Sequence, residues 1–79
     1  MGRLLLIEDD RLLGETLCGE LRGVGWHVEW ARDLYWARKH SRDAAFEAIL
    51  LDLRLSDGSG LDFLEALRAD GSTLPVVEI

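Results

Sequence analysis

The chain has 79 residues, which sets one small domain as the ceiling. Its composition, 48% hydrophobic and 30% charged, is that of a globular domain and excludes a disordered tail. A net charge of −6 argues against nucleic-acid binding through the overall field, since phosphate contacts need a basic surface.

The first element is a strand. Leu4 to Ile7 is a continuous apolar run, too short for a buried helix, and continuous apolarity marks a strand covered on both faces. Glu8, Asp9 and Asp10 end it, and Asp10 is placed to cap a helix over Arg11 to Arg22. Leu13, Leu17, Leu21 and Val24 form one stripe on that helix, and Gly23 and Gly25 stop it. Cys18, the single cysteine, has leucine neighbours and reads as a small buried residue; it cannot form an internal disulfide, which fits a reducing, cytoplasmic compartment. No stretch approaches the roughly 18 apolar residues of a membrane span.

Trp26, Val28 and Trp30 alternate with His27 and Glu29, as in an edge strand with two different faces. Asp33 caps a second helix to about Ser41, with Leu34, Trp36 and Ala37 available for packing. Its basic run, Arg38, Lys39, His40 and Arg42, reads as a solvated face. Ala48 to Leu53 is a second buried strand, Ser56 to Gly60 a turn, Leu61 to about Gly71 a third helix, and Leu74 to Ile79 a last strand. The three tryptophans are expected to pack the core and cover an edge rather than stack on a ligand. The order β-α-β-α-β-α-β predicts a parallel sheet with right-handed crossovers and helices on both faces.

In such a sheet, ligands sit beyond the carboxyl ends of the strands. Glu8 and Asp9 end the first strand and Asp52 ends the third. If these strands are neighbours, three carboxylates converge, and their mutual repulsion calls for a hard divalent cation such as Mg²⁺. A carboxylate beside Mg²⁺ can also attack a phosphoryl group and become an acyl phosphate. The loop after Asp52 needs freedom to turn toward the site, and Gly58 and Gly60 supply it. The segments GVG and DGSG lack the spacing and the lysine of phosphate loops, so nucleotide binding is disfavoured.

The segments LLLIEDD and ILLDLRLSDGSGLDFLEALR, with the βα pattern between them, resemble the receiver domain of bacterial two-component response regulators along the whole chain. The resemblance implies a flavodoxin-like α/β sheet, incomplete, with strand order 2-1-3-4. It implies that Asp52 is the phosphoacceptor, that Glu8, Asp9 and Asp52 bind Mg²⁺ with Asp9 the more direct ligand, and that Arg54 lends its backbone carbonyl to the metal. The implied partner is a sensor histidine kinase. DLRLSDGSGLDFL is most like the subfamily that carries a winged-helix DNA-binding domain, so DNA contact would come only through a domain absent from this chain.

Two departures stand out. Ser56 occupies a position usually held by proline, which would loosen the turn without touching the chemistry. A full receiver continues for about 40 residues beyond the fourth strand, within the size of a single domain. The family's switch threonine or serine, its later lysine and its dimerisation helix would lie there. The only lysine, Lys39, does not match, and Glu78 falls where an apolar strand residue is expected. The chain therefore reads as a truncated receiver, 1–79, whose open edge and uncovered apolar surface favour a homodimer or swapped oligomer. Two functions remain: a phosphoacceptor, or a non-catalytic assembly module with a crippled site. A metal-dependent phosphatase on a related fold ranks lower, because it would want a second acid at position 54, which is Arg.

Overall fold

A computed structural model describes residues 2–42 and 45–79. In chain order it contains β1 (Arg3–Ile7), α1 (Arg11–Gly23), β2 (His27–Ala31), α2 (Leu34–His40), β3 (Phe46–Leu51), β4 (Arg54–Leu55), β5 (Gly58–Ser59), α3 (Gly60–Ala69) and β6 (Val76–Glu78). The main sheet is wholly parallel, ordered β2-β1-β3-β6, which is the expected 2-1-3-4. The turn expected over Ser56 to Gly60 is a small antiparallel hairpin, β4 with β5, followed by α3.

The apolar run of β1 lies at the centre. Leu5, Leu6 and Ile7 are fully buried, and each such side chain contributes about 1.5–3 kcal/mol by leaving water. Alternation sorts them. Leu5 and Ile7 pack with Leu34 and Ala37 of α2 and Phe63 and Leu67 of α3, whereas Leu6 packs with Cys18 of α1 and Val28 of β2. Helices thus cover both faces, α1 on one and α2 with α3 on the other.

Local signals start each helix. Asp10 accepts from the Leu13 N–H at 3.0 Å and Asp33 from the Trp36 N–H at 3.0 Å, as their positions predict. Ser59 does the same for α3 through the Asp62 N–H at 3.3 Å. The stripe assigned to α1 is shifted. Gly14 and Cys18 are its buried positions, with Leu17 and Leu21 half-buried, while Leu13 is 44% and Val24 62% exposed. The small Gly14 and Cys18 admit the bulky Trp30 against the helix, and this rotates α1 about its axis relative to the leucine stripe. Trp26 and Trp30 pack as expected, but Trp36 is 49% exposed and contributes no core.

Candidate functional site

Two backbone hydrogen bonds locate the acids. The Glu8 N–H donates to the Ala31 carbonyl at 3.1 Å, and the Asp52 N–H donates to the Ile7 carbonyl at 2.9 Å. Each residue therefore stands one step beyond its strand, on the same rim, with no strand between β1 and β3. Glu8, Asp9 and Asp52 each bring one carboxylate oxygen within 4.8 Å of the others, the only such group of metal-capable side chains among the described residues.

The three acids differ in surroundings. Asp9 and Asp52 are half-buried, while Glu8 is 2% exposed and its Oε2 has no hydrogen-bond partner. Burial, then the hydrogen bond and charge of Asp52, raise the Glu8 carboxyl from the ordinary 4.5 to about 7. The Trp30 indole N–H donates to the Glu8 carbonyl at 2.8 Å, which fixes that backbone from the β2 side.

The loop after Asp52 is held by three ties, two of them to the acids. The Arg54 N–H donates to Asp52 Oδ1 at 2.9 Å. The Ser56 N–H donates to Asp9 Oδ2 at 2.8 Å across 47 positions of sequence. Both oxygens of Asp57 accept from the Leu34 N–H, at 3.0 and 3.1 Å, joining the hairpin to the start of α2. Ser56 was expected to loosen the turn without touching the chemistry; its backbone amide is in direct contact with one of the clustered carboxylates. Gly60 also has a more specific role than flexibility. A Cβ there would run into the Asp52 carbonyl oxygen and stand 2.7 Å from the Leu53 Cα, so glycine lets α3 begin directly against the Asp52 backbone.

An open groove of about 480 Å³ adjoins the cluster, with Asp9, Ser56, Arg32, Trp36 and His40 in its lining. A depression of about 500 Å³ between the ends of α2 and α3 contains Arg38, Phe63 and Leu67 and none of the three clustered acids. Among the described residues no helix is long and apolar enough to cross a membrane.

A sequence model of the family described as "Response regulator receiver domain" matches residues 4–79. The chain belongs to this family. As a receiver domain it has relatives with named regulatory roles. It is 40% identical over 74 residues to the "Swarming motility regulation protein RssB" of Serratia marcescens and 41% identical over 75 residues to the "Response regulator protein PmrA" of Pseudomonas aeruginosa. These alignments take in 94% and 95% of this chain but 34% of each relative, so the chain spans about a third of the length of the curated relatives it matches. Among solved structures, the "Non-phosphorylated HemR Receiver Domain from Leptospira biflexa" superposes with a TM-score of 0.92 at 41% identity, covering 99% of this chain and 63% of that one. A "MaeR response regulator bound to beryllium trifluoride" gives 0.90 at 31% identity, covering 100% and 66%.

Proposed function

We propose that this receiver domain accepts a phosphoryl group on Asp52 from the phosphohistidine of a sensor histidine kinase, with Mg²⁺ held by Glu8, Asp9, Asp52 and the backbone carbonyl of Arg54. The observation that carries the reading is the convergence of the three acids around a buried, unpartnered Glu8 oxygen. An all-oxygen, acidic donor set suits a hard divalent cation, which accounts for a carboxylate oxygen left without a partner in the interior. When bound, the cation offsets the negative charge of the incoming phosphoryl oxygens.

The chain's own residues supply the rest. Asp52, on its rigid strand end, presents an oxygen to the phosphorus. The P–O bond to that oxygen forms as the donor's P–N bond breaks, and the departing imidazole takes a proton from solvent. The Arg54 N–H donates to Oδ1 of the Asp52 carboxylate and limits its rotation. Because the phosphoryl group stays on Asp52, the domain acts as a signalling acceptor rather than a turnover enzyme. The beryllium trifluoride complex of MaeR supports such a site, since that fluoride complex mimics a phosphoryl group. In a longer parent protein in the cytoplasm, the phosphoryl state would bias a two-state equilibrium governing transcription through a separate DNA-binding domain. The transcriptional roles named for relatives such as "Transcriptional regulatory protein QseB" of Haemophilus influenzae support that extension.

The test is intact-mass measurement after incubation with Mg²⁺ and acetyl phosphate. One phosphoryl adduct is expected, absent without Mg²⁺ and absent in Asp52→Asn. Labelling should be slow, because the sole lysine, Lys39, stands over the Tyr35 ring at 5.0 Å and serves no phosphoryl oxygen. Failure of wild type to label while still binding Mg²⁺ would favour the second reading, 1–79 as a truncated receiver that assembles without transferring phosphate. The exposed Leu13, Val77 and Ile79 and the open edge of β6 support that alternative, in which two copies dimerise or exchange elements.

A further inference from the structure

We infer that the backbone N–H of Ser56 competes with the divalent cation for the Asp9 carboxylate, so that residue 56 sets metal affinity and couples metal occupancy to the hairpin loop. This rests on the metal site proposed above.

The geometry is direct. The Ser56 amide lies 2.8 Å from Asp9 Oδ2, a short, charge-assisted hydrogen bond between groups 47 residues apart. Asp9 is one of the three acids whose oxygens cluster, so its carboxylate has two claimants. A donated N–H occupies a lone pair and draws electron density from the oxygen. A cation that takes this oxygen must share it with the amide or displace it, and one that takes Oδ1 meets a carboxylate whose charge the amide already draws on. Either way the bond stabilises the metal-free state more than the metal-bound one, and affinity falls by the difference. The Ser56 side chain has no part in this, since the donor is main chain. Only proline, which has no N–H, removes it. Two features favour proline locally: Leu55 before it is in extended β4, the conformation proline demands of its predecessor, and among the described residues no non-glycine residue, Ser56 included, has positive φ.

Coupling follows by linkage. If metal weakens the Ser56–Asp9 bond, metal also frees one of the hairpin's ties to distant elements, leaving the Asp57–Leu34 tie in place. The hairpin then exchanges its Ser56 amide tie for the cation's hold on the Arg54 carbonyl, so the Ser56 end is the part that loosens when the cation arrives. Ser56 is thus a positioning residue acting through Asp9.

Two measurements on the 79-residue chain decide it. First, Mg²⁺ is titrated calorimetrically into wild type, Ser56→Pro and Ser56→Ala, with circular dichroism to verify folding. Ser56→Pro should bind about three to ten times more tightly, the scale of one charge-assisted hydrogen bond partly lost. Ser56→Ala, which keeps the amide, should match wild type. Equal or weaker binding by Ser56→Pro overturns the inference while leaving the metal site intact; no binding by any form overturns both. Second, amide exchange of Ser56 is measured in wild type with and without saturating Mg²⁺, which requires no variant and is insensitive to any stiffening by proline. Mg²⁺ should speed exchange at Ser56 while Leu34 stays protected. Unchanged or slower exchange at Ser56 overturns the inference.

Discussion

Glu8 carries a contradiction between its chemistry and its place: an ionisable group, 2% exposed, beside a second carboxylate. Its carboxyl is raised from 4.5 to about 7, first by burial and then by Asp52, so the folded state holds a proton that the unfolded chain releases. Below about pH 4.5 both states are protonated and the group is neutral in its effect. Between there and pH 7 the native state binds more protons, so stability declines as pH rises, and above pH 7 the loss is complete. Other carboxylates titrate in the same range, so the clean observable is the difference between wild type and Glu8→Gln in chelator. The Gln variant should gain relative stability progressively from pH 4.5 to 7, by on the order of 2 kcal/mol, in urea unfolding curves. A difference curve that is flat, or that rises toward low pH, would show that Glu8 is not buried as an acid. The residue types of this site were legible in sequence, because acids ending two apolar strands meet on one rim as soon as those strands are neighbours. The inequality among them was not. Nothing in EDD indicates that the first acid is interior and the second half-exposed; that depends on tertiary contacts, among them the bonds by which Ala31 and Trp30 hold the Glu8 backbone against β2.

Between residue and fold lies the hairpin of β4 and β5, the element least legible in sequence. A stretch such as RLSDGS has turn composition, and composition gives no partner for the Asp57 carboxylate or the Ser56 amide; both partners are distant in sequence. Asp57 can be tested directly. Both of its oxygens receive the Leu34 N–H, a backbone donor at the start of α2 whose side chain is buried. Asp57→Ala leaves that donor to water and unpins the loop from the helix. A cost of about 1–2 kcal/mol is expected, with faster amide exchange at Leu34 and little change at Leu5 in the sheet centre. Gly60→Ala should do more at the site than its size suggests, because the added methyl meets the backbone of Asp52 and Leu53, which has little room to yield. Mg²⁺ affinity should drop alongside stability, whereas Gly19→Ala, with open space around its Cβ on α1, should raise stability slightly. The α1 stripe follows the same rule. Leucine spacing predicted the helix and its extent, but Trp30 seated against Gly14 decided which way it faces. Periodicity reports that a helix is amphipathic; the shape of the opposing surface selects the buried arc.

At the scale of the whole molecule, the alternation of strands and helices was enough for a parallel sheet, whereas the order β2-β1-β3-β6 was legible only through the resemblance carried by LLLIEDD and ILLDLRLSDGSG. The two faces are unequally covered. On the α2–α3 side Val76 joins the packed core, whereas Val77, which lies opposite Leu50 and so points to the α1 side, is 53% exposed. Leu13 is also uncovered on that side, and β6 is an outermost strand whose free edge offers hydrogen bonds. Apolar side chains beside an unpaired edge form a template for a further strand or a second copy. The 79-residue chain should therefore associate as its concentration rises. Val77→Lys introduces the kind of charge that protects natural edges, at an exposed position where the stability effect should stay within about 0.5 kcal/mol. Sedimentation velocity should show a concentration-dependent rise in wild type and a constant monomer value in Val77→Lys. The control is Val28→Ala, buried on the same face beside Leu6: it should lower stability without suppressing association. If Val77→Lys associates as wild type does, the contact lies elsewhere, and the exposed β6 edge is a solvated feature with no role in assembly.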